Sequence, residues 1–364
     1  MTKKNILIAS GGTGGHVFPA YSLANFLSNQ SYNVKLITDK RGYEYLKNYK
    51  NLNLIKIPSS PLVKKNFAKL IYSILINIFS IIISLLFLLF NRPSIIFGMG
   101  GYSSFPICIA ATILRIKFVI YENNLIIGKA NKYLIPFTKK ILVSYKDLEG
   151  IPKRYNYKIT KIGNIVRKEI INSRIENSEN DKFNNINLLI LGGSQAAKIF
   201  GELLPSIIKK LNNSNIPIKV YQQCQKEQSE KLSNFYTKAK INHEIFNFSE
   251  KIIDYYLKAN LVITRSGASV LGELVNLKIP FISIPLPTSA DNHQLKNAIY
   301  YERKNFGFLI EEKDLNLRLF HFIKDIYRDN SKLNKIILNQ RQYSDKNVYN
   351  NINEVLEKIF NEKN

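Results

Sequence analysis

Short apolar runs alternate with amphipathic stretches along the chain. In the first half the β-rich runs lie at 6–9, 34–38, 54–57, 95–97, 118–121 and 140–143, and helical patterns lie at 17–28, 43–49, 67–90, 105–114 and 128–134. Strand, turn and helix in repetition predict a parallel sheet covered on both faces. The pattern then restarts. A second set of strands falls at 186–191, 218–221, 244–246, 261–264, 281–284 and 307–310, with helices at 197–211, 226–239, 252–258, 269–275 and 292–302. The polar stretch 172–185 reads as a surface loop, and the division between the halves falls near 159–163. The prediction is an α/β chain of two doubly wound domains, 1–162 and 163–344. In such sheets ligands bind beyond the carboxyl ends of the strands, so the loops there should carry the chemistry.

Six of those loops are chemically distinctive. Gly11-Gly12-Thr13-Gly14-Gly15-His16 follows the first strand and precedes a helix. Glycines let a backbone approach a phosphate or sugar, and a helix start attracts negative charge. The spacing is neither a dinucleotide fingerprint nor a P-loop, and a tight structural turn would also need these glycines. Gly98-Met99-Gly100-Gly101-Tyr102-Ser103-Ser104 ends another strand and should face the first loop across a cleft. Two such turns in one half point to an anionic or polyol ligand. Tyr121-Glu122-Asn123-Asn124 suits sugar hydroxyls or amides, or simply caps its own loop. In the second half, Gly192-Gly193-Ser194-Gln195-Ala196-Ala197 mirrors the first loop and suits a pyrophosphate. The run Arg265-Ser266-Gly267-Ala268-Ser269-Val270-Leu271-Gly272-Glu273 leads into a helix on which Glu273 could grip a ribose diol or merely sit on a solvated face. The last loop, from Pro285 to Gln294, is stiffened by Pro285 and Pro287. Asp291 is expected there as a helix N-cap, with Gln294 and Asn297 on one helical face.

Length and charge narrow the picture. The chain has 364 residues, enough for two cores, and a formal net charge of +25. That charge favours an acidic partner, although abundant Lys, Asn and Ile also suggest compositional drift. No paired Cys/His ligands or long basic block point to nucleic acid. Cys108 and Cys224 are too few for a disulfide framework and fit a reducing compartment. Residues 1–5 run straight into the first strand and do not read as a signal peptide.

From Leu70 to Phe90 no residue is charged, and the run is long enough to span a bilayer. Three readings stand: a transmembrane helix, a buried crossover helix, or a crossover helix whose outer face dips into a membrane. The strand at 95–97 favours the third, since a spanning helix would put that strand across the bilayer from the first one. Lys64, Lys65, Lys69 and Arg92 flank the run, where cations meet anionic headgroups.

Taken in order, GGTGGHVFPA, GMGGYSSFP, YENN followed by GKANK, GNIVR, GGSQAA, TRSGASVLGE and ADNHQLKNA closely resemble the MurG family. Those enzymes are N-acetylglucosaminyltransferases that convert lipid I to lipid II in peptidoglycan synthesis. The resemblance runs from about residue 5 to residue 310. It implies the GT-B fold, two Rossmann-like doubly wound domains facing across a cleft, with the segment 345–364 packing back on the first. The first would be the acceptor and membrane-facing domain, the second the UDP-sugar domain. The implied partners are UDP-N-acetylglucosamine, undecaprenyl-linked lipid I and an anionic membrane surface, with no cofactor, metal or nucleic acid. The implied place is the cytoplasmic face of the bacterial inner membrane, peripherally bound. Helix dipoles and loop amides would stabilise the departing UDP.

Residue by residue, the resemblance puts Thr13, Gly14 and Gly15 beside the donor sugar and acceptor diphosphate, and Asn124 on the N-acetylglucosamine. Arg167 and Ser194 would contact the UDP phosphates. Ser249 would meet the uracil through its backbone, and Ala268, Ser269, Val270 and Leu271 would line the nucleotide pocket. Glu273 would hold the ribose and Gln294 the sugar hydroxyls. His16 is the candidate general base on the acceptor phosphate, or, since a phosphate oxygen is already ionised near neutral pH, a group that only positions it or balances charge. The chain has Tyr121-Glu122-Asn123-Asn124 where the family usually has His-Glu-Gln-Asn, and Ala196 where Gly is commoner. Alternatives are a glycolipid synthase using UDP-galactose or UDP-glucose, a UDP-N-acetylglucosamine 2-epimerase, and a basic membrane or nucleic-acid binding protein without catalysis. The first glycine loop and the ADNHQ loop argue against the first. An epimerase would need acidic catalytic residues that the matching loops lack.

Overall fold

The computed structural model describes residues 3–49, 52–60, 67–173, 184–193 and 197–362. Two compact units divide the chain: Met1–Arg167 with Lys346–Asn364, and Lys168–Asp345.

The first unit runs β1 (Asn5–Ala9), α1 (Gly14–Asn29), β2 (Asn33–Thr38), α2 (Lys40–Leu46), β3 (Asn53–Lys56), α3 (Phe67–Phe90), β4 (Ile95–Gly98), α4 (Ser104–Ile113), β5 (Phe118–Glu122), α5 (Lys129–Leu134), β6 (Lys140–Val143) and β7 (Ile159–Lys161). Its seven strands are ordered β3-β2-β1-β4-β5-β6-β7 and pair in parallel. Strand order reverses between β1 and β4, which creates the crevice where such sheets bind ligands. Leu7, Ile96, Phe118, Ile120 and Ile141 build the core beneath it.

The second unit runs α6 (Lys168–Asn172), β8 (Ile186–Leu191), α7 (Lys198–Asn212), β9 (Ile218–Gln223), α8 (Ser229–Lys238), β10 (Asn242–Phe246), α9 (Ile252–Lys258), β11 (Leu261–Thr264), α10 (Ala268–Leu277), β12 (Phe281–Ser283), α11 (His293–Arg303), β13 (Phe308–Leu309), α12 (Leu315–Arg328) and α13 (Ser331–Arg341). Its parallel sheet is ordered β10-β9-β8-β11-β12-β13, with the reversal between β8 and β11. The last helix, α14 (Val348–Asn361), belongs to the first unit. Its apolar positions Val348, Ile352, Val355, Leu356 and Ile359 recur at helical spacing and are all buried. Tyr349 stacks on Phe26 at 4.5 Å between ring centroids, and its hydroxyl donates to the Val166 carbonyl. These contacts keep GNIVR with the first unit, whose first segment reaches Arg167 rather than 162.

Helices α12 and α13 fall where the strand–helix reading stopped, and β7 occupies the expected division. Helix α1 starts at Gly14, three residues before the expected position, so Gly14, Gly15 and His16 form its first turn. Pro19 lies inside this helix and has no N–H for the carbonyl four residues back, that of Gly15. That carbonyl therefore needs another donor.

Helix α3 overturns the buried-crossover reading. It is the one described helix long and apolar enough to cross a membrane, and only 22% of its apolar window is buried. The polarity is reversed. Ser73, Ser80, Ser84 and Leu88 face the protein. Asn77 on the same stripe donates to the Ser60 and Ser73 carbonyls at 2.9 and 2.7 Å, and Ser84 donates to the Ser80 carbonyl. Ile71, Leu75, Ile78, Phe79, Ile82, Leu86 and Phe90 are exposed. Both ends of α3 join strands of one parallel sheet, so the helix runs alongside it. Arg92 beyond its end donates to the Leu114 carbonyl, next to exposed Ile113 and Arg115. Lys64 and Lys65, and the side chain of Lys69, lie outside the described residues, as do positions 174–183 of the polar stretch.

Candidate active site

The two glycine loops of the first unit do not face each other across a cleft. They pack together at the β1/β4 reversal. Gly101 has φ +81°, and a Cβ there would lie 2.1 Å from the Gly11 carbonyl oxygen. Gly100 has φ +83°, and its Cβ would lie 2.9 Å from the His16 ring. Only glycine permits both the left-handed backbone and this approach. Ser103, fully buried, donates to the Ser10 carbonyl at 2.7 Å. Asp39 accepts from Gly12 N at 2.9 Å and from Gly42 N at 2.7 Å, so one carboxylate caps α2 and holds the first loop. Thr13 is the N-cap of α1 without a side-chain cap bond, and no acidic residue occupies the first turn. The helix start is thus left electropositive, as an anion site requires.

The YENN loop is tied to that helix start. Asn123 donates from Nδ2 to the Gly15 carbonyl at 3.1 Å, the one Pro19 cannot serve. Glu122, 2% exposed, accepts from Asn124 N and Nδ2, from Gly128 N and from Asn131 Nδ2. This carboxylate joins YENN to GKANK. Tyr121 points into the protein: its hydroxyl contacts Ser144 Oγ at 2.9 Å and accepts from Ile165 N at 3.0 Å. It supports GNIVR from below. At the end of that motif the Arg167 guanidinium lies 6.0 Å from the centre of the Phe18 ring on α1. The first unit therefore gathers Thr13, Gly14, Gly15, His16, Asn124 and Arg167 around the start of α1.

In the second unit, Ser194 lies outside the described residues, together with Gln195 and Ala196. Helix α10 begins at Ala268 directly beyond β11. Ser269 and Val270 are half-buried, whereas Leu271 is fully buried, so only the first two side chains reach the surface. Glu273 is 8% exposed and accepts from the Tyr256 hydroxyl at 2.9 Å. Tyr256 sits on α9, just after the turn that carries Ser249. Gln294 accepts from Leu286 N at 2.9 Å, and Asn297 donates to the Ser266 carbonyl, so α11 is fastened to both neighbouring loops. Arg265, 7% exposed, pairs with Glu312 and donates to the Ile284 and Pro285 carbonyls.

Asp291 is not the N-cap of α11. It has φ 51°, and Asn292 caps the helix with φ 53° and no side-chain cap bond. Two consecutive left-handed residues, of the types that best tolerate that conformation, form the turn into α11. Residue patterns missed Asp39, Ser103 and Tyr256 as supports, because their partners are distant or backbone groups, whereas Glu122 has the loop-capping part that was one reading of YENN. Both cysteines are buried and unpaired, and burial pushes each thiol up, away from nucleophilic use.

Comparison with known proteins agrees with this layout. Residues 6–143 match the glycosyltransferase family 28 N-terminal domain, and 187–355 match the family 28 C-terminal domain. A relative from Pelagibacter ubique is 34% identical over 361 residues, covering 99% of each chain. One from Rickettsia felis is 37% identical over 321 residues, covering 86% of this chain and 88% of that one. Both carry the name UDP-N-acetylglucosamine–N-acetylmuramyl-(pentapeptide) pyrophosphoryl-undecaprenol N-acetylglucosamine transferase. Among solved structures, Acinetobacter baumannii MurG superposes with a TM-score of 0.75 at 22% identity, covering 98% of this chain and all of that one. A UDP-N-acetylglucosamine 2-epimerase reaches 0.65 at 13% identity, covering 100% and 98%, so the fold alone is shared by both chemistries. With two GT-B-type units, glycine loops at both strand reversals and near-full-length relatives of one name, the chain belongs to the MurG family of N-acetylglucosaminyltransferases, within glycosyltransferase family 28.

Proposed function

We propose that this chain transfers N-acetylglucosamine from UDP-N-acetylglucosamine to lipid I, undecaprenyl-pyrophosphoryl-N-acetylmuramyl-pentapeptide, and so forms lipid II. The observation that carries this reading is the near-full-length likeness to relatives named for that transfer. A hydroxyl oxygen of the acceptor attacks the anomeric carbon in line. The bond from that carbon to the UDP oxygen breaks, with inversion. The nucleophile is this hydroxyl and not the acceptor phosphate, so its proton needs an acceptor, and His16, held against Gly100 on the first turn of α1, is the candidate base. Arg167 and Ser194 take the diphosphate charge, helped by the start of α10, with no metal required. Ser249 and Ala268–Leu271 receive the nucleotide, Glu273 the ribose, and Gln294 and Asn124 the sugar. Labelled sugar should move from its UDP donor to a lipid I analogue in detergent with EDTA. Folded protein that binds UDP yet transfers nothing, or that releases the epimer without lipid, would replace this reading.

Glu273→Ala should raise the donor KM about 10- to 100-fold with little change in kcat, since a charge-assisted bond to ribose is worth ~1.5–3 kcal/mol. It also removes an acceptor from the buried Tyr256 hydroxyl. Tyr256→Phe separates the two effects: it should lower the melting temperature and leave the donor KM within about threefold. Equal donor kinetics in wild type and Glu273→Ala would remove ribose from this residue's role.

The exposed face of α3 supports a peripheral seat on the cytoplasmic side of the inner membrane. Apolar side chains outside and serines inside suit a hydrocarbon exterior, with Arg92 and Arg115 toward anionic headgroups. Flotation with anionic liposomes should show binding that survives high salt. Ile78→Lys with Ile82→Lys, both exposed, should abolish it without changing the melting temperature. Binding that high salt removes from the unmodified chain would leave only a charge contact.

A further inference from the structure

The chain between β7 and α6, residues 162–167, forms no helix or strand, yet Ile162, Gly163, Asn164, Ile165 and Val166 are all buried. Buried backbone groups outside a ladder need other partners. Distant side chains supply them. Asn351 on α14 donates to the Ile162 carbonyl at 3.0 Å. The Tyr121 hydroxyl, from β5, accepts from Ile165 N at 3.0 Å. The Tyr349 hydroxyl, from α14, donates to the Val166 carbonyl at 2.7 Å. One tyrosine thus holds the N–H of residue 165 and the other the C=O of residue 166. A residue has only two soft backbone torsions, so gripping both ends of this dipeptide fixes where the chain delivers Arg167. Arg167 ends this segment of the first unit, and its guanidinium lies 6.0 Å from the centre of the Phe18 ring on α1, at the limit of a cation–π contact.

We propose that Tyr121 and Tyr349 are positioning residues that hold the Arg167 guanidinium where it meets a diphosphate. Both tyrosines are buried, and they act on the reaction through Arg167. The proposal rests on Arg167 taking the diphosphate charge and goes beyond it, since it says what aims that charge. Phe at either position keeps the ring, including the stack of residue 349 on Phe26, and removes one grip. Tyr121→Phe takes the acceptor from Ile165 N, and Tyr349→Phe takes the hydroxyl donor from the Val166 carbonyl. With no ladder to hold it, the segment shifts to regain a partner, and Arg167 shifts with it. A misplacement of about 1 Å in a positioned group is enough to cost a large share of its effect on rate.

The test is a double-mutant cycle, read in steady-state transfer with varied UDP-N-acetylglucosamine and in melting temperature on the same samples. Tyr121→Phe and Tyr349→Phe should each lower kcat/KM about 5- to 30-fold. In an Arg167→Ala background the same replacements should change kcat/KM by less than about twofold, because the group they aim is gone. The melting temperature should fall in both backgrounds, since the same hydrogen bonds are lost. A merely structural role would lower kcat/KM equally with and without Arg167, and that result overturns the proposal. So do normal kinetics in both Phe variants when Arg167→Ala is impaired. If Tyr121→Phe does not fold, the Tyr349→Phe cycle decides by the same criteria. Normal donor kinetics in Arg167→Ala would instead take the diphosphate away from Arg167, and with it the reading beneath the proposal.

Discussion

Gly101→Ala should cut transfer by more than about 100-fold and destabilise the first unit by roughly 2–4 kcal/mol. Two costs add. The backbone at φ +81° is left-handed, which costs an alanine about 1–2 kcal/mol. The added Cβ would also lie 2.1 Å from the Gly11 carbonyl oxygen, a backbone atom that cannot rotate away. The β4 loop must then part from the β1 loop, and the first turn of α1 moves with it. Gly12→Ala is the control. Gly12 has a similar φ of +84° but nothing within 4 Å of a Cβ, so it should lose only the left-handed cost. Melting temperature and kcat/KM measured on both variants separate the terms. Equal losses would show that the loops do not depend on their mutual contact.

Arg265→Ala should destabilise the second unit by about 2–4 kcal/mol and raise the donor KM. The guanidinium is buried on the Phe200 ring, 4.7 Å from its centre, and bridges Glu312 to the carbonyls of Ile284 and Pro285. Removing it strands all three acceptors. Glu312 is a quarter exposed at its side chain and can hydrate, which keeps the loss below that of a fully buried pair. The two carbonyls begin the stiff Pro285–Pro287 turn that leads to Gln294, so the damage should spread to the donor loop. Arg265→Lys restores the charge but not the fork and should recover only part of the stability. Chemical denaturation with the Michaelis constant read on the same samples checks this. An unaltered denaturation midpoint would make the ion pair a surface ornament.

The seat of chemistry was legible from strand ends. A glycine-rich run between an apolar strand and a helix could only be a turn at a carboxyl edge, and both reversals carry one. Loop capping by YENN was one reading, but the partners were not legible: Glu122 takes Gly128 and Asn131, and Asp39 takes Gly12 from the neighbouring strand's loop. Nor was the proline effect in α1, where Pro19 frees a carbonyl that Asn123, more than a hundred residues on, takes up.

Periodicity and turn chemistry are local properties, so reading along the chain was enough for two doubly wound units, the order of their loops and the apolar composition of 67–90. Folding in three dimensions settled the rest: that the two glycine loops touch, that GNIVR and α14 belong to the first unit, and that α3 turns its serines inward. Each of these depends on which distant surface a segment meets, and no local pattern encodes that.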